Sequence, residues 1–322
     1  MKIEITQNKG IQYIKATNSI GMEVVFSSLG ATIASIKIDG LPMTESPLNI
    51  EDLRKTDIYY GKTIGQIANR VKDGIVEIDG IKYQLEQNEG QNTLHGGLQG
   101  LSNQSFAIQR FQKDDYFVVI YSLKKSKKRG ILPGKIDYFV VYTLFDKDCS
   151  LGVEFRAISD KDTVIALTNH SYFCLGESNL DRLLLQIPAD RFVESDPQSL
   201  LPLRELPVPK CLDFRQKKPI TKDINDHYLV NSRTNGYDHN LLFCDNSPIV
   251  LESPNYKLEI LTDFTGAQIY TDNYKDGIRM MNSVDELRRG IAIEPQDSLL
   301  DRRVLKKGEI YNKHITYKFY KK

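Results

Sequence analysis

Ile75-Val76-Glu77-Ile78-Asp79-Gly80-Ile81-Lys82-Tyr83-Gln84-Leu85 places two short β-rich runs on either side of an Asp-Gly pair. Two residues of this kind between strand-forming runs predict a hairpin closed by a primed turn, whose positive φ angles Asp and Gly tolerate. The same grammar repeats along the chain. Thr32-Ile33-Ala34-Ser35-Ile36-Lys37-Ile38 alternates and stops at Asp39-Gly40. Further strands are predicted at Tyr116 to Leu123, Lys135 to Phe145, Leu151 to Ile158, Thr163 to Leu167 and Leu183 to Ile187. They continue at Ile249 to Glu252, Lys257 to Asp263, Ala267 to Thr271 and His314 to Tyr320. Val, Ile, Tyr, Phe and Thr fill these runs, as packing on a pleated surface favours.

Helical periodicity is scarce. Ser283 to Gly290 is the best case, with Ser283 and Glu286 as a capping box and Gly290 as the stop. Pro197 to Pro209 reads as an ordered loop, because Leu and Val punctuate its prolines. Many strands with turn punctuation predict an all-β protein, a large antiparallel β-sandwich with few short helices, formed by residues 1–322 as one domain. Two smaller β domains are the alternative.

At 322 residues the chain can bury a large core without disulfide or metal staples. Lys plus Arg number 43 against 42 Asp plus Glu, so a net charge of +1 offers no general attraction to nucleic acid or anionic membranes. Cys149, Cys174, Cys211 and Cys244 contain no C-x-x-C pair, and Cys149, Cys174 and Cys244, each beside an apolar or aromatic stretch, read as free, buried thiols. No apolar run approaches a membrane span and Met1 to Ile5 lacks a secretory signature, so a cytoplasmic location is expected. Lys124-Lys125-Ser126-Lys127-Lys128-Arg129 reads as a solvated hairpin tip, with phosphate capture as a minor alternative.

Polar islands interrupt this β pattern: Asn69-Arg70, His95 before Gly96-Gly97, His170 in Thr168-Asn169-His170-Ser171, Asp238-His239, and Glu294-Pro295-Gln296. A neutral, hydroxyl-rich ligand needs such a set, with many hydrogen-bonding groups and a proton donor–acceptor pair. Each island also has a plainer explanation. His170 could be a core histidine satisfied by Asn169 or Ser171, and Glu294 a strand-end acid paired with Arg302 or Arg303. Arg70 could serve a structural ion pair, His95 an ordinary Gly-rich turn, and Asp238 its own backbone. No H-x-x-x-H or cysteine spacing recommends a metal site.

The islands, taken in order, resemble the motifs of the aldose 1-epimerases (galactose mutarotases). The likeness runs from Leu29-Gly30-Ala31-Thr32 through Gly65 to Arg70, Asn92 to Gly97, Pro133-Gly134, Thr168 to Phe173 and Asp213-Phe214-Arg215. It continues through Gly236 to Asn240 and Tyr270-Thr271 to Glu294-Pro295-Gln296. The resemblance implies a galactose mutarotase-like supersandwich with an open cleft on one sheet and no cofactor. Glu294 then resembles the general base that takes the proton from the sugar C1 hydroxyl, and His170 the general acid at the ring oxygen. Arg70, His95 and Asp238 resemble hydroxyl-binding residues, with Asn69 beside Arg70 in the same set, while His239 is structural. The implied activity is interconversion of the α and β anomers of free aldoses such as galactose and glucose, through a ring-opened aldehyde. A glycoside hydrolase using Asp238 and Glu294, a sugar-binding regulatory module and a phosphosugar epimerase are the alternatives. Departures are peripheral: Trp is absent, so an apolar sugar face must meet Phe or Tyr, and a basic run replaces an acidic stretch before Pro133-Gly134.

Overall fold

The computed structural model describes residues 1–125, 132–275, 277–281 and 287–322. Three antiparallel sheets dominate it. A nine-stranded sheet has at its centre the long strands Tyr116–Lys125, Ile136–Phe145, Ser150–Ser159 and Ile310–Lys321. A five-stranded meander runs from Lys2–Asn8 to Leu41–Pro42. A six-stranded sheet is ordered Tyr172–Phe173, Ile291–Pro295, Gly266–Tyr270, Asp238–Phe243, Ala189–Ser195, Pro202–Pro207. Their inner faces meet in one continuous core. Val140, Phe155, Leu258 and Tyr317 of the large sheet share it with Phe26 and Ile36 of the meander and Leu241, Ile269 and Ile293 of the six-stranded sheet. The strand Ile136–Phe145 alternates buried and half-buried positions almost without fault, as a half-covered antiparallel strand must.

The Thr32–Ile38 strand has the bounds its alternation predicts. Ile75–Ile78 pairs with Ile81–Gln84 across Asp79-Gly80, whose φ values of 49° and 79° are those of the primed turn. Other expectations need correcting. Pro197 to Pro209 is not all loop: Pro202–Pro207 forms the outer strand of the six-stranded sheet, where a proline needs no partner for its missing N–H. Ser283 and Glu286 of the expected capping box lie outside the described residues, and Leu287 to Gly290 form no helix. Among the described residues the single α-helix is one turn, His227–Val230. Cys174 and Cys211 are buried free thiols, whereas Cys149 is partly exposed and Cys244 exposed at a strand end. Of the basic run, Lys124 and Lys125 end a strand and the rest lies outside the described residues.

Candidate active site

Side chains on one face of a strand recur every second residue, and cross-strand partners share that face. In the six-stranded sheet this rule makes a floor. Asn240 pairs with Gln268, and Gln268 with Glu294. Two residues along, Asp238 pairs with Tyr270, Tyr270 with Ala292, and Ala292 with Tyr172. The alternate residues Leu241, Ile269 and Ile293 face the core, so the polar row faces the other way. Above it lies a cleft of ≈ 550 Å³, lined by Asn69, Arg70, His95, His170, Asp238 and Glu294 among others. All six candidate residues therefore converge, although more than two hundred residues separate Asn69 from Glu294 in the chain.

The walls come from irregular segments. Arg70–Val71 pairs with Thr93–Leu94, which sets Asn69 and His95 side by side. Both are left-handed, with φ of 62° and 52°. The Asn69 N–H donates to His95 Nδ1 at 3.2 Å, and the His95 N–H to the Asn69 carbonyl at 3.2 Å. Burial holds His95 well below its ordinary pKa, with His170 and Arg70 adding to the effect. A neutral imidazole that accepts at Nδ1 must carry its proton on Nε2, so His95 is set as a hydrogen-bond donor.

His170 follows the two-residue strand Thr168–Asn169 and is clamped by its own backbone. Its N–H donates to the Lys62 carbonyl at 3.0 Å, and the Gly61 N–H donates to its carbonyl at 2.9 Å. Neither Asn169 nor Ser171 satisfies its ring. Ser171 donates to Asn169, and Asn169 donates to the Gly61 carbonyl. The ring sits among Tyr59, Tyr172 and His95, its Nδ1 buried without a partner. Its Nε2 stands 3.3 Å from Glu294 Oε1.

Glu294 is 2 % exposed. Its strand runs one residue further, to Pro295, whose carbonyl accepts from the Thr168 hydroxyl at 2.8 Å. Neither expected arginine reaches Glu294, since Arg302 donates to the Arg70 carbonyl and Arg303 pairs with Glu309. Burial raises the Glu294 pKa well above the carboxylate range; Asp238 adds to this and Arg70 opposes it. Burial also lowers His170 to about 3, with Lys62 contributing. The near-neutral imidazole expected of an acid catalyst is thus absent from the free cleft, because the ring is largely buried. Burial favours the neutral form of both partners.

Arg70 does not project freely. Its Nε and Nη2 donate to Glu89 at 2.8 and 3.1 Å, and Nη1 stands 3.6 Å from Asp238 Oδ2. Asp238 also accepts from Gln268 at 2.6 Å rather than from its own backbone, and burial raises its pKa against the pull of Arg70. His239 points away, its Nδ1 accepting from the Asp238 N–H while its ring packs on Phe192 and Tyr228. Tyr59, Tyr172, Tyr270 and Tyr274 line the cleft and supply the aromatic surface that the lack of Trp leaves to Tyr. Sequence reasoning missed Glu89, Gln268 and Arg233. Gln268 was detectable, since it shares the face of Tyr270 opposite the apolar Ala267 and Ile269. Glu89 and Arg233 carry no such signal.

A carboxyl and an imidazole in direct contact, floored by amide and acid and walled by tyrosines, can move a proton on and off a neutral polyhydroxylated ligand. The comparisons agree with that class. The aldose 1-epimerase family profile matches residues 12–318, and the chain belongs to that family. It is 32 % identical over 304 residues to an aldose 1-epimerase of Haemophilus influenzae, spanning 88 % of this chain and 86 % of that protein. It is 28 % identical to the galactose mutarotase of Homo sapiens, spanning 92 % and 91 % of the two chains. The galactose 1-epimerase of Lactobacillus acidophilus NCFM superposes with a TM-score of 0.91 at 26 % identity, covering 100 % of this chain and 99 % of that one. The protein is an isomerase of the sugar anomeric centre.

Proposed function

We propose that this protein interconverts the α and β anomers of free aldohexoses, galactose and glucose among them, with Glu294 as general base and His170 as general acid. The contact of 3.3 Å between His170 Nε2 and Glu294 Oε1, buried at the cleft floor, carries the reading. Glu294 takes the proton of the C1 hydroxyl, the bond from C1 to the ring oxygen breaks, and His170 protonates that oxygen. The open aldehyde turns about C1–C2 and closes with both roles reversed. Ring opening starts from the pair as carboxylate and imidazolium, a form the bound sugar must stabilise, and leaves it as carboxylic acid and neutral imidazole. The count is one proton in both states, so turnover needs no exchange with solvent. Burial, which drives both groups toward neutrality, favours the pair that ring opening leaves behind. His95 Nε2–H is oriented to donate to the sugar, while Arg70, Asn69, Asp238 and Gln268 supply partners for its hydroxyls.

Polarimetry on freshly dissolved α-galactose and α-glucose tests this. The intact protein should speed equilibration far above buffer, and Glu294→Gln should lose about 10²–10⁴-fold, the ordinary contribution of one proton-transfer group. Intact protein no faster than buffer on either sugar would sink the proposal.

A further inference from the structure

At the rim of the cleft three charges alternate. Glu89 lies in the loop before Thr93–Leu94, and that loop is pinned. Asn88 Oδ1 accepts from the Leu94 N–H at 2.7 Å, Asn88 Nδ2 donates to the Leu94 carbonyl at 3.1 Å, and Asn92 Oδ1 accepts from the Asp73 N–H at 3.1 Å. The Glu89 carboxylate therefore has a set place. It takes the bidentate fork of Arg70. Its Oε1, shared with Arg70 Nη2, also accepts from Arg233 Nη2 at 2.7 Å, from a loop 144 residues further on. Arg70 is nearly buried, its side chain 10 % exposed, while Arg233 is half open at 50 %.

Two guanidiniums converging on one carboxylate are the recognition geometry for any planar or tetrahedral anion. Here the chain fills that geometry with its own side chain. We propose that Glu89 is a specificity-determining residue: its carboxylate occupies an anion-binding fork formed by Arg70 and Arg233, and so reserves the cleft for uncharged sugars. The inference rests on the epimerase reading of the cleft and adds to it which sugars are turned away. A sugar acid or sugar phosphate entering the cleft would find the donors of the fork already taken by Glu89, with the Asp238 carboxylate beside Arg70. A neutral sugar loses nothing, because Arg70 Nη1 and Asp238 remain within reach of its hydroxyls.

Removing the occupant frees the fork. Calorimetry on the full chain with galactose, galacturonate and glucose 6-phosphate compares the wild type with Glu89→Gln, Glu89→Ala and Glu89→Ala/Arg233→Gln. The two Glu89 variants separate loss of charge from loss of shape, and the Tm of each reports its folding. The wild type should bind both acids at least about tenfold more weakly than galactose. Glu89→Ala should shift that ratio toward the acids by about tenfold or more, the scale of one charge-assisted contact. The gain should shrink with added salt, as exposed charge pairs do, and should fall back when Arg233 is also replaced. A gain for galacturonate alone identifies a carboxylate fork, and one for glucose 6-phosphate alone a phosphate fork. A purely structural Glu89 would weaken all three sugars together, and an unchanged ratio in both Glu89 variants overturns the proposal. Anomer exchange of galactose in the same samples reports separately on the epimerase reading, so either result can fail alone.

Discussion

The centre of the nine-stranded sheet and the cleft built on the six-stranded sheet are made from the same residue types under opposite rules. In the former, ten-residue strands such as Ile136–Phe145 and Ser150–Ser159 pair along their length and bury every second side chain. In the latter, strands run two to seven residues, and the walls above them turn through left-handed non-glycine residues, Asn69 and His95 among them. The Tyr121 and Tyr138 hydroxyls lie unpartnered in the regular sheet, but here three unpartnered buried atoms of different side chains face one cleft: His170 Nδ1, Glu294 Oε2 and Gln268 Oε1. Native proteins satisfy nearly all such atoms, so a group of them at one place marks where a ligand belongs. Regularity supplies stability; the departures from it supply the chemistry.

Three experiments can break or sharpen that contrast, and the largest effect belongs to the regular region. Phe155 is fully buried between the sheets, and Phe155→Ala should cost about 3–5 kcal/mol through lost transfer energy and the cavity left behind. Denaturant titration measures it, and the folded fraction should keep the wild-type KM. A raised KM there would join the two regions that the contrast separates.

Arg70→Lys should do the reverse. Lysine keeps the charge but cannot reproduce the fork on Glu89, so the KM for galactose should rise roughly tenfold or more while the Tm hardly moves. A large loss of Tm with unchanged KM would make Arg70 a structural residue.

The smallest effect is a pH dependence. The folded value of Glu294 is raised above 4.5, so its share of stability is full below pH 4.5 and is lost as the pH rises. His170 is lowered from 6.5 to about 3, so its share is full above pH 6.5 and is lost as the pH falls through about 3. The two shares offset between 4.5 and 6.5, which makes that window the dyad's optimum. Glu294→Gln removes the first share, so the variant should gain on the wild type above pH 4.5, by up to about 1.4 kcal/mol per pH unit. Melting curves from pH 4 to 8.5 check this, and a constant difference across that range would show that burial does not raise Glu294.

Much of the architecture was legible in the residues. Thr32–Ile38 and the Asp79-Gly80 turn follow from local physics, alternation in the first and tolerance of positive φ in the second. Glu294, His170 and Arg70 were legible because each ends an apolar run with a polar tip, whereas His95 and Asp238 stood out in Gly-rich or turn-rich patches and by their place in the family's motifs. What escaped depends on register or on distant loops. Pro202–Pro207 is a strand because the neighbouring Ala189–Ser195 has an edge to offer. Gln268 matters because it lies in the row of Glu294.

The chain by itself determined the β class, the turns and the chemical types available, because these depend on neighbours within a few residues. Only the tertiary structure decided which polar groups meet, which are desolvated and which are already taken. His170 and Glu294 lie 124 positions apart, and only the fold brings them to 3.3 Å in a buried place. Arg70 reads as an open hand for hydroxyls until Glu89 and Arg233 are set beside it. Charge neutralisation and burial act over ångströms of space, and distance along the chain carries no record of them.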